Sequence, residues 1–228
     1  MKTYAIILAS GTGNRFGGDL PKQFTKIGGK TIFERTVEIF EGVNEIDGII
    51  LVITPNYIDF VRDLVAKNGY KKISKIIAGG KQRKDSSYNG VFSIEDEEAN
   101  VLIHDCARPF ISKEVIKNCI KALDTYNAVG VAIPSTDTIV EVANGIIKNI
   151  PKRESLMRIQ TPQCFKLSLI KKAHTLSIND TEFTDDCGLI IKHNLAKIFI
   201  VEGNRENIKI TYPEDIILGE EFAKEQNN

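Results

Sequence analysis

Tryptophan is missing from this 228-residue chain, and methionine (2), histidine (3) and cysteine (4) are scarce. The cysteines, Cys106, Cys119, Cys164 and Cys187, are scattered, with no C-x-x-C and no histidine pair nearby. That spacing excludes a zinc site and a disulfide framework, and it suits reduced thiols in a cytoplasmic protein. Net charge is missing too, because 30 basic and 30 acidic residues cancel. No bulk field then favours nucleic acid or an acidic membrane, so any anion site has to be local. No apolar run reaches membrane-spanning length, and the opening MKTYAIILAS soon meets charges and glycines, unlike a signal peptide. Repeats and low-complexity tracts are also lacking. With 42% hydrophobic and 26% charged residues, the chain reads as one globular domain, 1–228.

Continuous apolar runs of strand length are abundant: YAIILA (4–9), GIILVIT (48–54), KIIAGG (75–80), NVLIHD (100–105), VGVAIP (129–134) and KIFIVEG (197–203). Several are β-branched and unalternating, as strands buried on both faces are. Helical patterns lie between them (TIFERTVEIFEGV, NYIDFVRDLVAKNG, SKEVIKNCIKALDTYN), and Ser112 is the expected N-cap of the third. The alternation predicts an α/β fold with a mainly parallel sheet, which binds ligands beyond the carboxyl ends of its strands. Between 134 and 158 the pattern breaks. TIVEV and GIIKNI flank Ala-Asn-Gly, a hairpin signal. Such a hairpin is either a lid or a dimerisation arm; poorly buried alone, its apolar residues favour an arm packed on a second subunit.

The first strand runs into a glycine-rich loop, SGTGNRFGGDLPKQF, which carries Arg15 and Lys22. Successive backbone N–H groups in such a loop form an anion cradle. Two familiar phosphate motifs do not fit it. Asp19 stands where G-x-x-x-x-G-K-[ST] needs lysine, and after Gly11 and Gly13 the third glycine of G-x-G-x-x-G arrives one residue late, at Gly17. On the loop alone, a phosphate cradle of another kind competes with an ordinary turn bearing solvated charges. Three further polar segments follow strands: GGKQRKDSS (79–87), HDCARPF (104–110) and NIKIT (207–211). The run EDEE (95–98) reads as a solvated face.

Taken in order, LASGTGNRFG…PKQF, GGKQRKDS, HDCARPF, DTI, KR…QTPQCF, TDD and NIKIT…PED resemble the cytidylyltransferases that act on alditol phosphates. This family includes the 2-C-methyl-D-erythritol 4-phosphate and ribitol-5-phosphate enzymes. The resemblance covers nearly the whole chain. It implies a Rossmann-like nucleotidyltransferase sheet, CTP as donor, a polyol phosphate as acceptor, Mg²⁺ or another divalent cation, and a homodimer. By the same resemblance the opening loop, with Gly11 and Gly13, binds the triphosphate, and Arg15 and Lys22 sit on its phosphates. Ala9, Ser10, Gly79, Gly80 and Ser86 match the pocket that reads cytosine. Asp105 and Arg108 match positions meeting the ribose, the metal and the sugar phosphate. Thr138, Arg153 and Thr161 match the acceptor site, the first two on an arm reaching into the neighbouring subunit, and Lys209 matches a second lysine beside the α-phosphate.

The chemistry agrees with this inventory. A phosphomonoester is mostly a dianion at neutral pH and already a nucleophile, so no general base is required. The histidines offer none: His174 and His193 read as structural or solvated, while His104 has the option of orienting Asp105. Charge neutralisation is what the reaction needs, from fixed Arg and Lys donors and a metal held by Asp105. The alternative for Asp105 is to cap the next turn and pair with Arg108. For Asp185 a place near the site and a helix cap are both open, as is any part for Glu206. Two departures bear on the acceptor: LASG lacks the proline usual before the loop in the erythritol-phosphate enzymes, and Val140 replaces a basic residue after D-T-I. With NIPKRESL and DTIVEV, these favour D-ribitol 5-phosphate, with the methylerythritol phosphate and another polyol phosphate as alternatives. A nucleotide-binding module without catalysis is the competing class.

Overall fold

The computed structural model describes residues 1–11, 21–96, 98–180, 183 and 185–226. In chain order the elements are β1 (Lys2–Ala9), the short pair β2 (Lys26–Ile27) and β3 (Lys30–Thr31), α1 (Ile32–Glu41), β4 (Gly48–Ile53), α2 (Ile58–Asn68) and β5 (Ile73–Ala78). There follow α3 (Arg83–Phe92), β6 (Ala99–Asp105), α4 (Lys113–Ala122), β7 (Ala128–Pro134), β8 (Glu141–Ala143), β9 (Ile146–Asn149) and β10 (Met157–Lys166). The chain continues through α5 (Leu167–Leu176), α6 (Asp186–Lys192), β11 (Phe199–Glu202) and α7 (Asp215–Glu225). The six apolar runs each form a strand, and Ser112 caps α4 by accepting from the Val115 amide.

Among the described residues, seven strands form one sheet in the order β11-β7-β10-β6-β1-β4-β5. β10 alone runs antiparallel to its neighbours, so the sheet is mixed and mostly parallel. Alternate residues of β1 feed two cores: Ala5, Ile7 and Ala9 face one layer, Ile6 and Leu8 the other. Burial on both faces is why the strand shows no polar alternation. A fully buried Ile or Leu contributes about 1.5–3 kcal/mol. Gly90 permits a close approach of α3 to this sheet, since a Cβ there would lie 2.6 Å from Ile6 Cγ2.

Register places the site. Leu8 pairs with Asp105, Ala9 with Ile53, and Ile53 with Ala78, so four parallel strands end along one edge. The antiparallel β10 wedges between β6 and β7, with a register shift between Ile159 and Gln163 that lifts Gln160 and Thr161 out of the ladder beside Asp105.

Between β7 and β10 the chain leaves the sheet. β8 and β9 pair as a separate two-stranded sheet, turned by Asn144 (φ 53°) and Gly145 (φ 75°), the left-handed conformations a tight hairpin requires. The ordered strands are shorter than TIVEV and GIIKNI suggest, since Thr138–Val140 precedes β8 without pairing. Val142, Ile146 and Ile147 are 55–70% exposed, so the hairpin's apolar side chains are uncovered by the chain that carries them.

Candidate active site

A cleft of about 590 Å³ opens along the carboxyl edge of the sheet. Its lining includes Ala9, Ser10, Gly11, Lys22, Gly80, Lys81, Arg83, Ser86, Asp105 and Lys209. Four of these are cations, and Asp105 is the only acidic lining residue among those described. A cleft with this balance accepts a polyanion.

One wall is built from small groups in close contact. Ser10 Oγ and Ser86 Oγ lie 2.7 Å apart, and Ser86 Oγ also accepts from the Gly80 amide at 3.1 Å. A Cβ at Gly79 would stand 2.3 Å from Ser10 Cβ, so the close approach of the two strand ends requires glycine there. The floor is the end of β6. Asp105 is held from both sides, Oδ1 by Arg83 Nε at 2.9 Å and Oδ2 by Lys209 Nζ at 2.7 Å. Burial works to raise its carboxyl, but the Arg83 and Lys209 charges more than offset this and hold it well below the usual carboxylate range. Asp105 therefore pairs with these two residues rather than with Arg108, whose Nη1 donates to the Asn207 carbonyl at 2.8 Å.

His104 orients this strand end. Its Nε2 lies 3.1 Å from the Arg108 carbonyl, which can only accept, so Nε2 carries the proton. Nδ1 then accepts from Thr161 Oγ1, which in turn accepts the Asp105 N–H, both at 3.1 Å. Burial pushes the His104 pKa down to about 4, leaving a neutral ring that is unsuited to act as a base near neutral pH. Lys22 Nζ donates to the Ile210 carbonyl at 2.7 Å, and the Ile210 amide donates to the Ala107 carbonyl, so segment 207–211 ties Lys22 to the turn after β6.

The sequence-derived residues divide into three groups. Ala9, Ser10, Gly11, Lys22, Gly80, Ser86, Asp105 and Lys209 line the cleft, and Gly79 abuts it through Ser10. Arg108 and Thr161 lie behind Asp105. Thr138 and Arg153 sit on the exposed hairpin segment, where Arg153 Nη2 donates to Thr138 Oγ1 at 3.1 Å, and neither lines the cleft of its own chain. Gly13 and Arg15 lie outside the described residues. Asp185 is the N-cap of α6, accepting from Gly188, and the exposed Glu206 binds Asn204, so both serve local structure. Sequence reading overlooked Arg83, inside GGKQRKDSS, and Asp186, beside Asp185. The signal for Arg83 was its cationic side chain in a polar segment after a strand.

Among the described residues no group of three or more His, Cys, Asp or Glu could hold a metal by itself. Mg²⁺ is commonly held by one or two carboxylates plus substrate phosphates, and Asp105 beside a polyanion cleft fits that pattern.

The family model described as IspD: 2-C-methyl-D-erythritol 4-phosphate cytidylyltransferase matches residues 3–225. The chain belongs to this family. It is thus a CTP-dependent nucleotidyltransferase of the cytidylyltransferase kind, as its seven ordered motifs lead one to expect. Two relatives share 42% identity with it. One is the bifunctional ribulose 5-phosphate reductase/CDP-ribitol pyrophosphorylase Bcs1 of Haemophilus influenzae, matched over all of this chain and 49% of that protein, so the chain spans about half its length. The other is the 2-C-methyl-D-erythritol 4-phosphate cytidylyltransferase of Clostridium perfringens SM101, matched over 98% of this chain and 99% of that protein. Among solved structures, the 4-diphosphocytidyl-2C-methyl-D-erythritol synthase of Anaerococcus prevotii superposes with a TM-score of 0.87 at 32% identity, covering 98% of each chain. Among the described residues no helix is long and apolar enough to cross a membrane.

Proposed function

We propose that this cytidylyltransferase transfers the cytidylyl group of CTP to D-ribitol 5-phosphate, giving CDP-ribitol and pyrophosphate. An oxygen of the acceptor phosphate attacks the α-phosphorus of CTP, and the bond from that phosphorus to the bridging oxygen breaks as pyrophosphate leaves. The carrying observation is the cleft itself, with Lys22 and Lys209 set around a single carboxylate and no titrating base among the described lining residues. The acceptor is already a dianion, so the task of these residues is to lower the cost of bringing two anions together. Ser10, Ser86 and the backbone at Ala9, Gly79 and Gly80 form a narrow polar wall suited to the edge of a cytosine. Asp105 would hold a divalent cation, which when bound neutralises phosphate charge. Arg108, with Thr138 and Arg153 contributed by the arm of a second subunit in a homodimer, would hold the acceptor, and Thr161, its hydroxyl engaged by Asp105 and His104, would fix the strand end behind it. CTP, the acceptor and the second copy are the partners, and the cytoplasm is the compartment.

The match to the CDP-ribitol pyrophosphorylase and the residues LASG and Val140 support ribitol phosphate. Equal identity to a methylerythritol-phosphate enzyme, over nearly its whole length, supports that acceptor as the second reading. Pyrophosphate release should be measured with CTP against ribitol 5-phosphate, 2-C-methyl-D-erythritol 4-phosphate and glycerol 3-phosphate. Faster turnover per unit concentration with ribitol 5-phosphate is expected. Preference for the methylerythritol phosphate would overturn the acceptor assignment, and comparable use of ATP or GTP would overturn the cytidylyl reading. A site that pairs buried polar groups with the cytosine amine should reject bases lacking it by a large factor.

A further inference from the structure

Asp186 lies at the first turn of α6, is 1% exposed, and has no place in the cleft. Its environment is nevertheless directed there. Oδ2 accepts from Arg83 Nη1 at 2.8 Å, while the same guanidinium gives its Nε to Asp105 at 2.9 Å. Oδ1 accepts from Ser87 Oγ, which also meets His174 Nε2 at 3.2 Å. The Asp186 backbone is fixed as well, since Gln163 Oε1 of β10 takes the amides of Asp186 and Cys187 at 2.8 and 2.9 Å. The result is a line from α6 through the first turn of α3 to the end of β6. Within this line both carboxylate oxygens of Asp186 are engaged, and the Arg83 guanidinium is held through Nε and Nη1 while its Nη2 is buried without a partner among the described residues.

We propose that Asp186 and Arg83 are positioning residues for the transfer reaction: Asp186 clamps the Arg83 guanidinium, and the clamped guanidinium fixes the rotation of the Asp105 carboxylate in the cleft. The inference rests on the cytidylyl-transfer reading and deepens it. A planar guanidinium can serve two carboxylates through separate edges, which an ammonium cannot do with the same geometry. Lys209 reaches Asp105 from the open side and is 40% exposed, so it cannot hold the carboxylate alone. A carboxylate free to rotate would misplace the divalent cation it would hold against the phosphates, and partners behind functional ligands carry about 10–100-fold in activity.

The test uses Asp186→Asn, Arg83→Lys and the double variant. Each single variant is expected to lower kcat about 10–100-fold, and Asp186→Asn, outside the cleft, should leave the Kd for CTP, measured calorimetrically, within about threefold of the wild type. Because both act on one line, the double variant should lose no more than the worse single. A crystal structure of either single variant should show the Asp105 carboxylate turned away from its present orientation. A role confined to holding α6 against α3 would lower the melting temperature and leave kcat of the folded fraction unchanged, and that result would overturn the proposal. So would losses that multiply in the double variant, or an Asp105 carboxylate that does not move. Should Asp186→Asn fail to fold, Arg83→Lys, at the cleft wall and with its charge kept, carries the kcat and crystallographic measurements. Absence of pyrophosphate release from the wild type would count against the transfer reading alone, and the variant structures would still decide whether this line holds Asp105.

Discussion

His104 makes the folded state sensitive to acid in a window that can be worked from its surroundings. The ring is 0% exposed, packs against Phe40 at 4.9 Å between centroids, and is held neutral between Thr161 and Arg108. Burial lowers its pKa to about 4, whereas an unfolded histidine titrates near its ordinary 6.5. Below pH 6.5 the unfolded chain therefore takes up a proton that the folded chain refuses. The contribution to stability is complete above pH 6.5 and is lost as pH falls towards 4. At about 1.4 kcal/mol per pH unit, the loss reaches about 3 kcal/mol by pH 4, a large part of the 5–15 kcal/mol typical of a domain. His174, lowered by burial, adds in the same direction, while the depressed Asp105 carboxyl keeps its full contribution above the ordinary carboxylate range and begins to lose it only below. Urea melts between about pH 7 and about pH 4.5 measure this directly, and His104→Gln should flatten the slope towards what His174 leaves. A free energy constant to within about 1 kcal/mol across that range would refute the reasoning.

Lys22→Ala should lower turnover about 10²–10³-fold with the fold intact, as removal of one preorganised donor to developing charge does; near wild-type turnover would remove Lys22 from the phosphate site. Gly79→Ala forces a Cβ to within 2.3 Å of Ser10 Cβ, and overpacking of about 1–3 kcal/mol should weaken CTP binding about tenfold or more. Calorimetric titration with CTP reads that change, and unaltered affinity would contradict the packed-wall account of the base site. For the arm, Lys22→Ala and Arg153→Ala enzymes, each inactive, are mixed under conditions of subunit exchange. If the arm acts across a two-fold axis, one site of each heterodimer escapes both lesions, and about a quarter of all sites recover. Exchange demonstrated by mass spectrometry with no recovered turnover would place the arm over its own subunit.

The sheet was legible because its strands are buried on both faces and announce themselves as unbroken apolar runs. β10 was harder: MRIQTPQCFK mixes polar and apolar residues because its first half serves a bulge near the site. The helix at Arg83–Phe92 was hidden for a related reason, since RKDSSYNG spends its side chains on the cleft and on α5 and α6 rather than on an apolar stripe. Lys22, Asp105 and Lys209, picked out through the family resemblance, line one cleft in the structure. The link between Arg83 and Asp186 joins residues 103 positions apart, and nothing local in either segment signals its partner.

The hairpin segment has a property of a different kind. Its two ends are adjacent: Pro134 pairs with Met157, and the Ser135 amide donates to the Leu156 carbonyl at 3.1 Å. Everything between those ends closes on itself, and Thr138 and Arg153 meet within it. The small-residue wall of the cleft, by contrast, is assembled from the ends of β1 and β5 and the start of α3, far away in the chain. Residues 135–156 therefore form an interchangeable cassette with a ready-made splice point. On the proposed function, exchanging this cassette for that of a relative with another acceptor, while leaving the sheet untouched, would give evolution and the protein engineer the same route to a new sugar phosphate without rebuilding the recognition of CTP.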